Sequence, residues 1–221
     1  FLSFPADDET QLRYIKGLMA EMIFYGPVLK DYEVSTIYIG GGTPSWLNEE
    51  WIAALLEGIF ECFNVKEDAE ISIECNPGTL TLNKLLTYRD AGVNRLSIGL
   101  QSTNDEELKL LGRIHTYDQF VKNYEMARNV GYKNISVDLM YGLPQQTTEK
   151  YLDTVNRIVR LKPDHISAYS LIVEKGTPFY EKYKFDMVKQ EAGMRTEFLP
   201  NEDELYEMEK AGQEQLFDAG Y

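Results

Sequence analysis

The sequence predicts an α/β protein in which a parallel β-sheet is covered by helices and closed, completely or partly, into a barrel. Short apolar runs alternate with longer amphipathic stretches along the chain. The runs are nearly continuously hydrophobic, as is typical of strands in a parallel sheet buried on both faces. A polar or glycine-rich segment ends every run, which favours a barrel whose strand ends share one face.

The five apolar runs predict five strands, each ending at a segment that could bind a ligand. The strands are expected at residues 35–39, 70–74, 94–100, 134–139 and 165–171. The segments at their ends are 40–44, 74–77, 101–102, 138–144 and 172–174. In a parallel β/α architecture these segments would converge on one face, which is the arrangement of an enzyme-like site.

An open, doubly wound sheet is the alternative to a barrel. Its dinucleotide-binding form needs Gly-x-Gly-x-x-Gly directly after a strand, whereas Gly40-Gly41-Gly42 is followed by Thr-Pro-Ser. The same segment lacks the Gly-Lys-Ser/Thr ending of a nucleoside-triphosphate loop. The barrel is therefore favoured over the open sheet, and phosphate hydrolysis is not expected.

The first two helices have clear start signals. Asp7-Asp8 precedes an amphipathic pattern that fades at Gly26-Pro27, so the first helix is expected between them. Asn48 opens the second helix, and Glu49-Glu50 falls in its first turn, where acidic side chains suit the helix dipole.

The later helices are bounded mainly by their stop signals. Gly92 and Gly131 are expected just after helix ends, and Pro163 follows another. The segment 185–199 has no clear pattern. The expected helices are 81–91, a short one from 104, 117–130, 148–161, a short one at 178–184, and 202–219.

Composition and charge exclude several classes of protein. A chain of 221 residues with 43% apolar content can bury a substantial core, and one domain or most of one is expected. No apolar run approaches the roughly 20 residues of a membrane helix, and no secretory signal is visible. The net charge of −14 opposes binding to nucleic acid. Cys62 and Cys75 form neither a disulfide framework nor a metal motif, which fits the cytoplasm.

Polar side chains at the strand ends are the candidate binding residues. The glycine segment 40–44 allows the main chain to approach a ligand closely. Glu74 could accept from an ammonium group or a sugar hydroxyl, or could be a buried acid bonded to loop amides. Gln101 and Asp138 occupy the corresponding place on the next two strands. Together these oxygens could bind hydroxyls, adenine nitrogens or Mg²⁺.

The remaining polar residues supply no recognisable reactive group. Arg113 would suit a carboxylate, with an ordinary surface arginine as the alternative. His165 begins a strand and is expected to be structural, whereas the role of His115 stays open. There is no Ser-His-Asp order and no His-rich metal cluster. The residues therefore predict a small-molecule site whose reactivity comes from a cofactor or from a segment outside this sequence.

Several segments together resemble the radical S-adenosylmethionine (SAM) proteins of the oxygen-independent coproporphyrinogen III oxidase family. Their order and spacing are kept from about residue 35 to 180. The matching segments are 39–44, 71–74, 94–102, 138–144 and 163–169.

Within this family two branches differ at positions visible here. Residues 99–102 and 111–116 look like the haem-chaperone branch rather than the oxidase branch, and residues 1–4 look like the segment that follows the cysteine stretch of that branch. The resemblance therefore favours a haem chaperone, which binds haem and passes it to acceptor proteins. The alternative is an oxidase that decarboxylates two propionates of coproporphyrinogen III.

The resemblance implies a fold, a domain arrangement and a set of ligand-binding residues. Residues 1–221 would form one partial (β/α)₆ barrel of the radical SAM type, with its first strand upstream of Phe1 and a further domain beyond Tyr221. The methionine part of SAM would be held by Gly41, Gly42, Thr43 and Glu74. A second SAM site of the oxidase branch matches Gln101, Arg113, Asp138 and Ile172.

The resemblance also implies a [4Fe–4S] cluster held by three cysteines. These cysteines are not in the sequence, neither Cys62 nor Cys75 can replace them, and they are expected upstream of Phe1. No metal ligand and no catalytic residue is therefore assigned within the chain. A more remote hypothesis is an ordinary barrel enzyme that uses Glu74 and Asp138 around Mg²⁺.

Overall fold

The computed structural model of the chain describes residues 7–221. The resemblance seen in residues 1–4 lies outside the described residues. Five strands occur at the predicted places, all observed pairings are parallel, and the strand order β1-β2-β3-β4-β5 is the chain order. The strands are β1 Glu33–Ile39, β2 Asn64–Cys75, β3 Arg95–Gln101, β4 Asn134–Tyr141 and β5 His165–Ser170.

Eight α-helices precede, separate and follow the strands in the described part of the chain, with two helices after β3 and two after β5. They are α1 Asp8–Tyr25, α2 Glu49–Cys62, α3 Leu82–Asp90, α4 Asp105–Leu110, α5 Tyr117–Val130, α6 Thr148–Leu161, α7 Pro178–Glu191 and α8 Glu202–Asp218. The start signals act as expected, because the side chains of Asp7, Asn48 and Thr81 each accept a hydrogen bond from the first turn of the helix that follows. No helix within residues 7–221 is both long and apolar enough to cross a membrane.

Two compact units make up the structure. The first contains the described residues up to Gly99 together with Phe120–Ile135, and the second contains Leu100–Gln119 and Ser136–Tyr221.

In the first unit, strand register brings the ends of β1 and β2 level with each other. Ile39 pairs with Ile73, so the glycine segment after β1 begins beside Glu74. Ile73 is completely buried, as are Leu96 and Ile98 of β3. The buried sheet therefore holds the end of β2 in a fixed position.

In the second unit, β4 and β5 pair in register. Asp138 lies opposite Ser167, and Met140 lies opposite Tyr169. Because side chains alternate between the faces of a strand, Asp138 and Tyr169 lie on the same face, two register positions apart.

Two predicted boundaries are wrong. Strand β2 begins at Asn64 rather than near residue 70, because its first half is polar and exposed and carries no apolar signal. Helix α7 continues to Glu191 rather than stopping near 184. Phe185 and Val188 are exposed while Asp186 is buried, which hides the apolar period of the helix. The Asp186 carboxylate accepts from the main-chain N–H groups of residues 197–199, and these bonds are invisible to a pattern search.

Candidate functional site

A fixed carboxylate lies beside the glycine segment in the first unit. We call Tyr38, Glu74 and the loop 40–43 the glycine-loop site. The Tyr38 hydroxyl donates to Glu74 Oε1 at 2.8 Å, and the Gly41 N–H donates to Oε2 at 3.2 Å. Glu74 is half-buried, and Tyr38 is 57% exposed. The two donors hold the carboxylate at the edge of solvent, where its remaining lone pairs can accept from a ligand.

Glycine is required in this loop for two different reasons. A Cβ on Gly40 would lie 2.6 Å from Tyr38 Cε1 and 2.8 Å from Glu74 Oε1, so only glycine fits beside the carboxylate. Gly41 has φ +113°, a conformation that residues with a side chain rarely adopt, and a Cβ there would have no atom within 4 Å. A Cβ on Gly42 would also meet open space. The main chain of the loop is therefore accessible.

The glycine-loop site fits the amino-acid end of SAM. A carboxylate such as that of Glu74 is the natural partner of an ammonium group, and accessible main-chain N–H groups suit a ligand carboxylate. Thr43 lies in the same loop with an exposed side chain, and its predicted contact with SAM stays a prediction.

Ser45 anchors the end of the glycine loop. Its side chain is completely buried, and its Oγ accepts from the Asn76 N–H at 2.9 Å and lies 2.6 Å from Thr79 Oγ1. Lys84 Nζ donates to the Ser45 carbonyl at 2.5 Å, and burial lowers the pKa of this lysine. These bonds fix the loop after β1 to the segment after β2.

The second unit contains the other predicted residues. We call Gln101, Arg113, Asp138 and Tyr169 the Gln101 site. Gln101 ends β3 with φ +78°, an unfavourable conformation for a residue with a side chain, and is only 2% exposed. Its Oε1 accepts from the Tyr169 hydroxyl at 2.9 Å. A non-glycine residue held in this conformation at a strand end is a frequent sign of a functional site.

Arg113 is a half-buried cation whose donors are available to a ligand. Among residues 7–221 its guanidinium makes no hydrogen bond and no close ion pair. Burial lowers the pKa of Arg113, while the nearby Tyr169 and Asp138 oppose that shift. The arginine nevertheless stays charged, since its ordinary pKa is above 12. A desolvated guanidinium with free donors is suited to an anionic group, above all a carboxylate.

Ile172 is the remaining predicted residue of this set. It follows β5 with 74% of its surface exposed. Its assignment stays a prediction, as does the convergence of all five strand ends on one site.

The two histidines make hydrogen-bond contacts typical of structural residues. His165 Nδ1 lies 2.9 Å from Ser136 Oγ within the β4–β5 pair, as expected of a structural residue. His115 is buried, with Nε2 3.3 Å from the Leu100 carbonyl, and burial lowers the pKa of its imidazole. His115 is thus a neutral core residue at pH 7.

The described residues do not fit an iron–sulfur cluster. Cys75 is buried, which raises the pKa of its thiol, and Cys62 lies apart in a helix. Within residues 7–221 no three His, Cys, Asp or Glu side chains are grouped as metal ligands. The cluster therefore has no ligand set in this part of the chain.

Sequence reasoning missed the two tyrosines and the serine that hold these sites. Tyr38 and Tyr169 were not distinguishable from the other tyrosines, of which the chain has 15 in total. The available signal is their position, since each lies one residue before the end of its strand. Ser45 follows Thr43-Pro44 directly, but nothing local shows that its hydroxyl is buried.

Comparisons with known proteins agree with this description. The radical SAM superfamily model matches residues 25–158. The haem chaperone HemW of Escherichia coli is 36% identical over 98% of this chain and 53% of its own length. HemW of Bacillus subtilis is 40% identical over 80% of this chain and 46% of its own. This chain therefore spans about half the length of these relatives.

A solved structure gives the same result for the fold. Coproporphyrinogen III oxidase (HemN) from E. coli, described as a radical SAM enzyme, superposes with a TM-score of 0.83 and 28% identity. The match covers 98% of this chain and 48% of the oxidase. This likeness confirms the predicted fold class, an α/β partial barrel of the radical SAM type.

Proposed function

This chain belongs to the radical SAM superfamily, and we propose that it is the barrel part of a haem chaperone, which binds haem and delivers it to acceptor proteins in the cytoplasm. The observation that carries the proposal is the similarity to proteins named haem chaperone HemW, which reaches 36% identity over 98% of this chain. The match covers nearly the whole chain, so its extent takes in the segments that carry the glycine-loop site and the Gln101 site.

The superfamily implies SAM as a cofactor, and the glycine-loop site would hold it. Glu74 would accept from the ligand's ammonium group, while the main-chain N–H groups of Gly42 and Thr43 would donate to its carboxylate. Gly41 would line the same site, with its own N–H donating to Glu74. Bound SAM supplies a sulfonium group that one-electron reduction can cleave. Because the described residues do not fit the [4Fe–4S] cluster, its ligands would have to come from other parts of the full-length protein.

The Gln101 site would bind a second carboxylate-bearing ligand. Arg113 offers free guanidinium donors, and Gln101 and Asp138 add polar groups beside it. A second SAM molecule, with Ile172 against its apolar part, is the ligand that the family resemblance favours.

Oxidation of coproporphyrinogen III is the second candidate function. The superposition on E. coli coproporphyrinogen III oxidase, with a TM-score of 0.83, is the observation that favours it. The greater sequence identity to the haem chaperones favours delivery over oxidation.

Two assays on the full-length protein separate these functions. Haem titration followed by the Soret absorbance should show saturable binding, and the loaded protein should transfer haem to apomyoglobin as a general acceptor. Anaerobic incubation with coproporphyrinogen III and SAM should yield no protoporphyrinogen. Efficient decarboxylation would replace the chaperone proposal with the oxidase, and absence of both activities would reject both.

The SAM assignment has its own test. Glu74→Ala should weaken SAM binding about 10- to 150-fold, because a charged hydrogen bond worth roughly 1.5–3 kcal/mol is lost. Glu67→Ala, an exposed position on the same strand, is the matched control and should bind normally. Equal affinity of the two variants by calorimetry, with both folded, would contradict the role of Glu74.

A further inference from the structure

We propose that Lys84 is a positioning residue of the glycine-loop site, which holds the far end of the loop 40–43 so that its main-chain N–H groups can bind the carboxylate of the ligand. The inference rests on the proposed function, in which this loop binds the amino-acid end of SAM. Lys84 lies on α3 and acts through the loop rather than by touching the ligand.

The loop 40–43 has little packing of its own to hold it in place. A Cβ on Gly41 or Gly42 would meet no atom within 4 Å, and the three glycines of the loop are exposed. The position of the loop therefore depends on its two ends. Strand pairing of Ile39 fixes the near end, and the buried Ser45 lies just beyond the far end.

The main-chain carbonyl of Ser45 depends on Lys84 for its hydrogen bond. Ser45 is completely buried, so its carbonyl oxygen is shielded from water. Lys84 Nζ donates to this oxygen at 2.5 Å, and residues 7–221 form no other hydrogen bond to it. The direction of the bond is fixed, because a lysine ammonium can only donate and a carbonyl can only accept. Without Lys84 the buried carbonyl would lack a partner, and the peptide after Ser45 would have to turn towards water.

The charges around Lys84 leave its ammonium on this carbonyl. Glu49 is a nearby carboxylate, but it forms no ion pair with Lys84 among residues 7–221, and its Oε1 accepts from the Asn83 amide. The Cys75 thiol is buried, which raises its pKa, so it carries no charge at pH 7. Lys84 is itself half-buried and loses part of its hydration. The bond to Ser45 compensates for that loss, because the ammonium has no carboxylate as a closer partner.

The Lys84–Ser45 bond fixes the loop relative to Glu74. The Ser45 side chain is bound in the same region, since its Oγ accepts from the Asn76 N–H at 2.9 Å, two residues after Glu74. SAM carries its ammonium and its carboxylate on one carbon atom. The Glu74 carboxylate and the N–H groups of the loop must therefore lie a set distance apart to bind both groups at once. Lys84 supports the loop side of this pair, and so it acts on the ligand carboxylate.

Calorimetric titration of the full-length protein with two probes tests the inference. SAM and decarboxylated SAM, titrated without a reductant, differ only in the ligand carboxylate. Lys84→Met keeps the length of the side chain but removes its donor, and should weaken SAM binding about fivefold to tenfold, the effect of one hydrogen bond. Binding of decarboxylated SAM should change by less than about twofold, because this probe has no carboxylate for the loop to bind. Lys122→Met, an exposed position on α5 in the same unit, is the matched control for the lost charge and should bind both probes normally.

The outcomes separate the positioning role from a general loss of structure and from the proposed function. Undiminished SAM binding by Lys84→Met, or an equal loss for both probes, would overturn the positioning role alone. Equal affinity of the parent protein for the two probes, or normal SAM binding by Glu74→Ala, would overturn the SAM assignment of the loop and the inference together, while the haem assays judge the chaperone function separately. If Lys84→Met does not fold, Lys84→Gln replaces it. Its amide is uncharged and reaches less far, so the same selective loss for SAM is expected, and any other pattern would overturn the inference.

Discussion

Adding one methyl group at Gly40 should disable the glycine-loop site while leaving the fold intact. The new Cβ would lie 2.6 Å from Tyr38 Cε1, 2.8 Å from Glu74 Oε1 and 2.9 Å from Glu74 Cδ. These distances are well inside the roughly 3.5 Å at which non-bonded heavy atoms attract. Both neighbours are the ends of flexible side chains, so they can move away, but the carboxylate then leaves its position.

The size of the effect follows from what the displacement breaks. Gly40→Ala should cost only about 1 kcal/mol of unfolding free energy, because the Tyr38–Glu74 hydrogen bond that it disrupts is exposed to water. Ligand binding should suffer more, since the ligand's ammonium loses a charged partner worth roughly 1.5–3 kcal/mol. That loss corresponds to about 10- to 150-fold weaker binding.

Calorimetric titration of the full-length protein with S-adenosylhomocysteine measures the affinity, and urea unfolding measures the stability. Gly17→Ala is the matched control, because a Cβ at this position of α1 meets no atom within 4 Å. It should leave binding unchanged and stabilise the helix by about 1 kcal/mol at most. If Gly40→Ala binds the ligand normally while Glu74→Ala binds it poorly, the absence of a side chain at Gly40 is not what keeps the Glu74 carboxylate in place.

Two further predictions concern buried polar groups. Ser102→Ala should lower the unfolding free energy by about 2 kcal/mol, because the Glu107 carboxylate, which is 5% exposed, would keep only the Gln146 amide as a donor. Urea titration measures this loss, and an unchanged unfolding midpoint would contradict the prediction. Burial lowers the pKa of His115 in the folded protein below its ordinary value of 6.5. The unfolded chain therefore binds a proton more readily than the folded protein, and the free energy of unfolding should fall as the pH drops through 6.5. In the His115→Gln variant the urea unfolding midpoint should change less between pH 7.5 and 5.5 than it does in the parent protein. An equal change in both proteins would reject the burial of His115 as the cause.

Much of the secondary structure could be predicted because its signals are local. Helix α5 occupies 117–130 and α6 occupies 148–161, as predicted, since the glycine and proline that follow them are read directly from the sequence. The early start of β2 and the extension of α7 could not be predicted in this way. Exposed polar strand residues have no pattern, and the bonds that surround Asp186 come from residues 11 to 13 positions away.

The candidate residues at the strand ends could also be predicted, but their bonding could not. Glu74, Gln101 and Arg113 were identified by chemical type and by place along the chain. Whether Glu74 would be a solvated acceptor or a buried acid was open, and the structure shows a half-buried carboxylate with two donors. His115 was equally open, and the structure places it in the core.

The amino-acid sequence alone is enough to predict the alternation of strands and helices, and with it the fold class and the polar character of the strand ends. The side chains that hold the ligand-binding groups can be identified only in the folded protein. Tyr38 is 36 residues from Glu74, and Tyr169 is 68 residues from Gln101. Such partners are brought together by strand register and packing, and a hydrogen bond depends on a few tenths of an ångström that no local pattern encodes.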